Sequence, residues 1–344
     1  EPQTMPHPNT QRVTSNRAGP RSRRTAVLIA AGLGLGLLGS HLPLQAAGWP
    51  EGPVQLVVPA KAGGGTDAAA RIFAGALQKA VGRPVVVANQ PAGGGTVAAE
   101  TVRNAKPDGR TILFFHTGLL ASHHTGQYAH APRDAFGMAV VMPVAGSYAL
   151  TVGADSPYKT AADLVAAAKA QPDKITLGVQ LKGSTHFMAG LWMHDSKAPL
   201  RVVEAGGDAD KLVAVQGGTI QSALINTPGA LQYVKAGKLR ILATISGDPG
   251  RDPGLPDVPS LAEAGYPSAV YGIDFLILAP KATPAATLQA INAAFGQVLA
   301  DPAISAQFTK MRMPLRHLEL AAGQSRVNAV DAKVAATARQ LGFK

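Results

Sequence analysis

The sequence predicts an α/β fold. Short apolar runs of strand length alternate with segments whose apolar residues recur at helical spacing, which is typical of strand–helix–strand units. The runs are continuously apolar, and this indicates strands of a largely parallel sheet that is buried on both faces. With 344 residues, the chain is long enough for about two domains of ~150 residues.

Composition excludes several classes of protein. Hydrophobic residues make up 46% of the chain and charged residues 15%, so the chain is not globally disordered. It contains no cysteine, which excludes disulfides, thiolate metal sites and a cysteine nucleophile. The formal net charge is +11, but residues 47–344 hold no basic run interleaved with aromatic residues. We therefore expect no nucleic-acid partner.

Residues 1–46 are predicted to be a signal peptide. Arginines at 21–24 precede an apolar run of 14 residues at 26–39, and small residues follow at Ala46 and Ala47. These are the three parts of a secretory signal, and the run is shorter than the ~20 residues that span a bilayer. Cleavage is expected near Ala46 and Ala47. A permanent membrane anchor is the alternative, and both the Sec and the twin-arginine export routes are left open.

The first block of the chain is predicted to hold three strands, each followed by a loop or helix. Apolar β-branched runs predict strands at 54–58, 85–87 and 111–115, and helical spacing predicts helices at 68–81 and 97–105. The sequence Ala-Gly-Gly-Gly-Thr occurs at 62–66 and again at 92–96. Each copy lies between a strand and a helix, and the thirty-residue interval is the size of one strand–loop–helix unit.

A second block begins near residue 149. Thr160 and Asp163 form the pattern of a capping box at the start of a helix. A Gly-Ser loop at 180–186 leads into another helix, and the stretch 247–259 is rich in Pro, Gly and Asp, which predicts a loop. The other predicted elements are strands at 149–152, 175–179, 200–203, 220–225, 239–243 and 273–278, and helices at 164–170, 285–300, 303–311 and 322–341.

Six short motifs follow one another along the chain. They are Leu-Val-Val-Pro-Ala-Lys-Ala-Gly-Gly-Gly-Thr-Asp at 56–67, Asn-Gln-Pro-Ala-Gly-Gly-Gly at 89–95, Lys-Pro-Asp-Gly-Arg-Thr at 106–111, Ala-Gly-Lys-Leu-Arg at 236–240, Leu-Pro-Asp-Val-Pro-Ser at 255–260 and Leu-Ala-Pro at 278–280. The Bug receptors carry these motifs in the same order. Across residues 49–344 the chain thus resembles these periplasmic substrate-binding proteins of tripartite tricarboxylate transporters.

The resemblance implies a two-lobed periplasmic-binding-protein (Venus-flytrap) fold, each lobe a mixed sheet flanked by helices. Lobe 1 is expected at 47–149 and 272–344, and lobe 2 at 150–271. It also implies a periplasmic, monomeric receptor without cofactor or catalytic activity. Such a receptor captures a small carboxylate in the cleft between the lobes and delivers it to the membrane permease subunits of a tripartite transporter. A sensor receptor without a transport role is the alternative, and a hydrolase or transferase on the same fold is a further one.

The first glycine-rich loop is suited to binding an anion. Gly63, Gly64 and Gly65 permit positive φ angles and a close approach of a ligand to backbone amides. The helix that follows directs its unpaired N–H groups and its positive dipole end toward the loop. Thr66 adds a hydroxyl donor, and Asp67 is expected to stabilise the helix start. We expect valine at Gly64 to block binding. A tight turn without a ligand is the alternative.

Further candidates lie at strand ends and in the second Gly-Ser loop, where the resemblance implies that backbone and hydroxyl groups hold the ligand carboxylate. Asn226 stands where the family usually carries Asp, and Glu204 is a second departure from the family pattern. The complete set of predicted ligand-binding residues is Lys61, Ala62, Gly63, Gly64, Gly65, Thr66, Asp67, His116 and Thr117 in lobe 1, and Lys182, Gly183, Ser184, Thr185, Asn226 and Thr227 in lobe 2.

The two lysines carry a specific expectation. Lys61 and Lys182 lie in or beside the two loops that the resemblance sets on opposite sides of the cleft. If both contacted the ligand, it would carry two or more carboxylates, because a single carboxylate would leave a buried lysine poorly compensated. The alternative is that both side chains point into solvent.

Metal and enzyme sites are not expected. Four histidines fall between 116 and 130, but their intervals of seven, one and six residues do not match metal-ligand spacing. The sequence holds no G-x-S-x-G, H-E-x-x-H or P-loop motif.

Overall fold

The computed structural model describes residues 48–343, and the predicted signal peptide lies outside them. In chain order the strands are β1 (Val54–Val58), β2 (Val85–Asn89), β3 (Thr111–His116), β4 (Phe136–Pro143), β5 (Ser147–Gly153), β6 (Thr176–Val179), β7 (Arg201–Glu204), β8 (Ser222–Asn226), β9 (Leu239–Ser246) and β10 (Asp274–Pro280). The helices are α1 (Gly65–Val81), α2 (Thr96–Arg103), α3 (Gly118–His124), α4 (Pro132–Ala135), α5 (Ala161–Ala170), α6 (Ser184–Ser196), α7 (Asp208–Gln216), α8 (Thr227–Lys235), α9 (Ala285–Ala300), α10 (Pro302–Lys310) and α11 (Leu320–Gln340).

The strands form two mixed sheets with the same arrangement of directions. The first has the order β2-β1-β3-β10-β4, and the second has the order β7-β6-β8-β5-β9. In each sheet the first three strands are parallel. The fourth strand, β10 or β5, runs antiparallel to both of its neighbours. The mixed sheets flanked by helices that the resemblance implies are therefore confirmed, although the apolar runs alone favoured largely parallel sheets.

Apolar side chains cover both faces of each sheet. On one face of the first sheet, Phe73 of α1 packs against Phe114, Phe295 and Phe308, with ring centroids 5.7, 5.1 and 4.9 Å apart. The other face of this sheet belongs to a cluster that continues into the second sheet and includes Phe187. A third, smaller cluster packs α7 and α8 against the second sheet. Burial of these faces stabilises the layers in proportion to the apolar area removed from water.

The chain crosses between the sheets twice. The first crossing is the short link 144–146 between β4 and β5, and the second is the segment 247–273 between β9 and β10. A later segment, 311–316, lies along the first crossing: Ala145 N–H donates to the Pro314 carbonyl at 2.9 Å. In the second crossing, a Cβ added to Gly272 would lie 2.8 Å from the Gly247 Cα, so the absence of side chains permits this close approach.

Most predicted elements are present in the structure, including the capping box of α5, in which Thr160 Oγ1 accepts from Asp163 N–H. The strand β4 and the helices α3, α4, α7 and α8 lie outside the predicted elements. The predicted lobe boundaries stay a prediction, and β5 of the second sheet begins at Ser147. No helix within residues 48–343 combines the length and apolarity that crossing a membrane requires.

Candidate functional site

A cavity of about 90 Å³ lies between the two sheets. It adjoins the carboxyl ends of β3 and β8 and the start of α1, which is where α/β proteins commonly bind ligands. Both crossings and the segment after α10 also contribute to its wall. The lining residues are Gly65, Thr66, His116, Val144, Gly146, Ser147, Tyr148, Asp208, Asn226, Pro228, Ile245, Tyr271, Ile273, Phe275, Arg312 and Met313.

The amino terminus of α1 forms one part of this wall. Gly64 is the N-cap, and no side chain caps the helix, while Gly65 and Thr66 line the cavity. The first N–H groups of a helix have no intrahelical acceptor, so this terminus is a place where an anion can bind. Gly63 has a φ of 84°, but Gly64 has an extended φ of −76°. A valine at Gly64 would therefore not be forced into a strained φ. Within this loop Gly63 is the residue that occupies the left-handed region.

Asp67 holds the glycine-rich loop before α1 in place. It is 2% exposed, and its oxygens accept from Gly63 N–H at 2.9 Å, Arg71 Nε at 2.9 Å and Asn89 Nδ2 at 2.8 Å. Burial opposes ionisation, but the hydrogen bonds from Arg71, Gly63 and Asn89 outweigh it and lower the pKa of this carboxyl. The charge of Asp67 is therefore used to fix the loop.

His116 ends β3 and offers a hydrogen-bond donor to the cavity. Its Nδ1 accepts from Gly118 N–H at 2.9 Å, which assigns the remaining ring proton to Nε2 in the neutral form. Burial lowers the pKa of His116 to about 4, and the nearby Asp208 carboxylate opposes this shift only in part. The imidazole is therefore neutral at pH 7.

Tyrosine hydroxyls add further donors. Tyr271 is 5% exposed, and its hydroxyl has no hydrogen-bond partner among the described residues. The same holds for the Ser184 hydroxyl at the start of α6, which is 6% exposed and neighbours Tyr271. Burial raises the pKa of Tyr271 and of Tyr148, so both phenols keep their protons. Buried hydroxyls without a partner are costly, and a bound ligand or water oxygen would satisfy them.

The second lobe contributes a charged cluster at the start of α7. Asp208 Oδ1 forms an ion pair with Lys211 Nζ at 2.7 Å, and Asp208 Oδ2 accepts from Asn226 Nδ2. Asn226 in turn caps α8, because its Oδ1 accepts from Gly229 N–H at 2.8 Å. Lys211 is 1% exposed and also donates to the Leu224 carbonyl at 2.6 Å. The cluster is therefore rigid and carries no net charge.

Arg312 brings a positive charge to the base of the cavity. Its φ of 54° is left-handed, and Nη1 donates to the Gly254 carbonyl at 2.6 Å. Gly254 N–H donates to Asp252, whose other oxygen accepts from Ser147 Oγ at 2.6 Å. This chain of hydrogen bonds joins the segment after α10 to the second crossing and to β5, and it holds the guanidinium in place.

Of the predicted site residues, the structure brings four into the cavity wall: Gly65, Thr66, His116 and Asn226. Lys61 lies on the surface, 3.9 Å from Asp210, and the exposed Lys182 donates its backbone N–H to His186 Nδ1 at 3.1 Å. The remaining predicted residues do not line the cavity; these are Ala62, Gly63, Gly64, Asp67, Thr117, Gly183, Ser184, Thr185 and Thr227.

Several of these residues have structural partners instead. Thr117 Oγ1 accepts from Asp274 N–H, Thr185 Oγ1 accepts from Gln180 N–H, and Thr227 Oγ1 bonds to Ser147 Oγ. All three threonines are buried. Their hydroxyls therefore join β3 to β10, fix the start of α6 and join β5 to α8.

The other cavity residues lie outside the predicted set, among them Tyr148, Asp208, Tyr271 and Arg312. Asp208 directly follows the Gly-Gly pair after β7, so the strand-end reasoning applied to other loops would have reached it. Tyr271 and Arg312 lie on segments that pass between the sheets, and no local motif marks such positions. Among residues 48–343, no group of three or more His, Asp or Glu side chains is arranged to hold a metal ion.

Comparison with known proteins agrees with this architecture. The sequence profile described as "Tripartite tricarboxylate transporter family receptor" matches residues 69–323. Protein BugT of Bordetella pertussis is 28% identical over 83% of this chain and 87% of its own length. A UPF0065 protein of Cupriavidus necator is 31% identical over 84% of this chain and 87% of its own.

Solved structures show the same fold. The periplasmic binding protein BugD superposes with a TM-score of 0.77 at 25% identity, covering 86% of this chain and 99% of BugD. The R. palustris protein Rpa4515, solved with adipate, has a TM-score of 0.76 at 28% identity and covers 84% of this chain and 98% of its own. With its two-lobed periplasmic-binding-protein fold, the chain belongs to the receptor family of the tripartite tricarboxylate transporters.

Proposed function

We propose that this protein is a periplasmic receptor that binds a small carboxylate between its lobes and delivers it to the permease subunits of a tripartite transporter. Family membership supports the transport role, and the relative solved with adipate supports a carboxylate ligand. The observation that carries the proposal is the convergence of donors on one cavity. The α1 amino terminus, neutral His116, Tyr271 and Arg312 all line it.

These donors suit a carboxylate. Its oxygens would accept from the backbone N–H groups of Gly65 and Thr66, where the helix dipole also favours negative charge. Nε2–H of His116 and the Tyr271 hydroxyl would satisfy further lone pairs, and Arg312 would supply the counter-charge. Because Nδ1 of His116 is occupied by Gly118 N–H, this imidazole has no free nitrogen with which to act as a base. That geometry supports binding without catalysis.

The remaining expectations belong to the same proposal. We keep the two lobes, predicted at 47–149 with 272–344 and at 150–271, but move the first boundary to the crossing at 144–146, because β5 of the second sheet begins at Ser147. We expect a monomer released by cleavage near Ala46 and Ala47. Asp67 positions the glycine loop rather than touching the ligand, since its oxygens already accept three hydrogen bonds. We assign Lys61 and Lys182 to the protein surface outside the cavity.

The test is a thermal-shift and calorimetric panel of carboxylates with two to six carbons, accompanied by matched alcohols and amines. A ligand that binds only the folded state raises stability by about 2.7 kcal/mol at one hundred times its Kd. We expect at least one carboxylate to stabilise the protein and to be recovered unchanged after incubation. Chemical conversion of the bound acid, or stabilisation by the alcohols or amines alone, would contradict the proposal.

Delivery to a permease needs its own measurement. Uptake of the identified acid, labelled with a radioisotope, is compared in cells that have or lack this receptor. We expect uptake to be lost without the receptor and restored by the full chain. Undiminished uptake in its absence would assign the protein to sensing.

A further inference from the structure

The wall of the cavity contains both hydrogen-bond donors and a hydrogen-bond acceptor. Gly65, Thr66 and His116 of the first lobe offer N–H groups, whereas the second lobe presents the Asp208 carboxylate. The Asp208 side chain is 25% exposed, and each of its oxygens already accepts from a protein group. A carboxylate oxygen has two lone pairs, so Asp208 can accept a further hydrogen bond from the cavity. A ligand that fills the cavity therefore meets both hydrogen-bond donors and a carboxylate acceptor.

The charge of Asp208 is already balanced. Lys211 Nζ lies 2.7 Å from Oδ1, and it is buried behind the carboxylate with the Leu224 carbonyl as its second acceptor. A ligand ammonium beside Asp208 would add a second cation to a carboxylate that is already neutralised. A ligand carboxylate in the same place would leave its lone pairs facing those of Asp208. An uncharged donor, such as a hydroxyl, avoids both costs.

The size of the cavity limits the ligand further. A cavity of roughly 150 Å³ holds benzene, which has six heavy atoms. The cavity here is smaller, about 90 Å³, so in this conformation it favours the shortest carboxylates over longer ones. Apolar side chains, among them Ile245, Ile273 and Phe275, also line the cavity. They would pack against the short carbon chain of such an acid.

We infer that the ligand is a small hydroxycarboxylate with one carboxyl group. Its carboxylate binds at the α1 amino terminus, and its hydroxyl donates to Asp208. This inference rests on the proposed function and narrows its ligand class. It also replaces the expectation of a ligand with two or more carboxylates, because Lys61 and Lys182 do not line the cavity.

The first test uses the unaltered protein and two matched series of acids. Calorimetry compares lactate with alanine and propionate, and 3-hydroxybutyrate with 3-aminobutyrate and butyrate. We expect the hydroxy acid to bind at least tenfold more tightly than the unsubstituted acid in one series or both, since a hydrogen bond to a charged group favours the ligand that can make it. The amino acid should bind more weakly than the hydroxy acid. Succinate tests the second carboxylate and should bind more weakly still.

The second test alters the acceptor wall. The double variant Asp208→Asn/Lys211→Met removes both charges together, because the single change at Asp208 would leave a buried ammonium without a partner. We expect the preference for the hydroxy acid over the unsubstituted acid to fall below threefold. Asp155→Asn, an exposed acid in the same lobe, is the matched control and should leave the preference intact.

Lys211→Met alone gives an independent prediction. It leaves Asp208 charged and unbalanced, so the preference should shift from the hydroxy acid toward the amino acid.

Three outcomes of these tests can be distinguished. Binding of carboxylates without regard to the hydroxyl, or tighter binding of succinate, overturns the inference and leaves the proposed function standing. Absence of binding by any carboxylate overturns the proposed function. If the double variant keeps the full preference for the hydroxy acid, Asp208 does not recognise the hydroxyl, and this part of the inference is overturned.

Discussion

The partly buried imidazole of His116 makes the stability of the protein depend on pH. Its folded-state pKa is about 4, while an unperturbed histidine titrates near 6.5. Above pH 6.5 the group is neutral in both states and has no effect on stability. Between pH 6.5 and 4 the unfolded chain takes up a proton that the folded protein does not, so stability falls as the pH falls. Below pH 4 the loss is complete.

We therefore predict that unfolding free energy drops by up to roughly 3 kcal/mol on acidification through this window because of His116 alone. Urea unfolding of the wild type and of His116→Asn at several pH values measures the contribution. The asparagine carbonyl can still accept from Gly118 N–H but cannot titrate. Identical pH dependence in the two proteins would show that the imidazole protonates without cost.

Lys61 and Lys182 are predicted to contribute little to the affinity for the ligand. Lys61 forms an exposed ion pair with Asp210, and such pairs contribute about 0–1 kcal/mol. Lys61→Gln and Lys182→Gln should bind the ligand within threefold of wild type, whereas Arg312→Gln in the cavity wall should lose at least tenfold. Calorimetric titration at two salt concentrations checks this. A tenfold loss in either lysine variant would bring that lysine back into the binding site.

At this scale the sequence predicted loops better than individual contacts. The glycine loop before α1 and the histidine at the end of β3 were both identified, because strand ends and glycines carry local signals. Tyr271 and Arg312 lie outside the predicted set because their place in the cavity depends on how distant segments meet, whereas Asp208 follows a strand end and carries a local signal. Asn226 was identified, and its amide lies against Asp208, an acid supplied by a different helix.

Among the elements, the turn from β1 into α1 gives the most direct test of the site. A Cβ added at Gly65 meets nothing within 4 Å, and Gly65 lines the cavity. Gly65→Val should therefore fill cavity space and reduce affinity by about a hundredfold or more, with a melting temperature close to wild type. Gly75→Val is the matched control, because Gly75 lies on the same helix, outside the cavity, with equally open surroundings. Equal affinity in both variants would show that the turn serves the fold only.

Element positions were largely predictable, and strand directions were not. The apolar runs of β1, β3 and β10 were read correctly, because length and β-branched content distinguish strands from helices. Nothing in such a run states whether it lies parallel to its neighbours, and β5 and β10 are antiparallel. The run of β4 was missed, although all but its last residue are buried.

At the scale of the whole molecule, the two crossings join the lobes and also form part of the cavity wall, so the shape of the cavity depends on how the lobes are positioned. Gly247 and Gly272 touch within the second crossing, next to Tyr271 and Ile273 of the cavity wall. Gly272→Ala places a Cβ against the Gly247 backbone, which cannot yield as a flexible side chain would. We predict a stability loss of about 1–3 kcal/mol and weaker ligand binding. Thermal unfolding and calorimetry measure both, with Gly75→Ala as control; unchanged values for Gly272→Ala would mean that the crossing relaxes freely.

The position of β10 also has a consequence for how the chain folds. This strand lies between β3 and β4, yet the whole second sheet separates it from them along the chain. Until β10 arrives, β3 and β4 each present an unpaired edge, the kind of surface that pairs with other chains. The strands of the second sheet are contiguous in sequence and can assemble first, which shortens the loop that must close before β10 pairs. The first sheet should therefore be completed late, and slow assembly of the second would prolong the interval in which the protein is prone to aggregate.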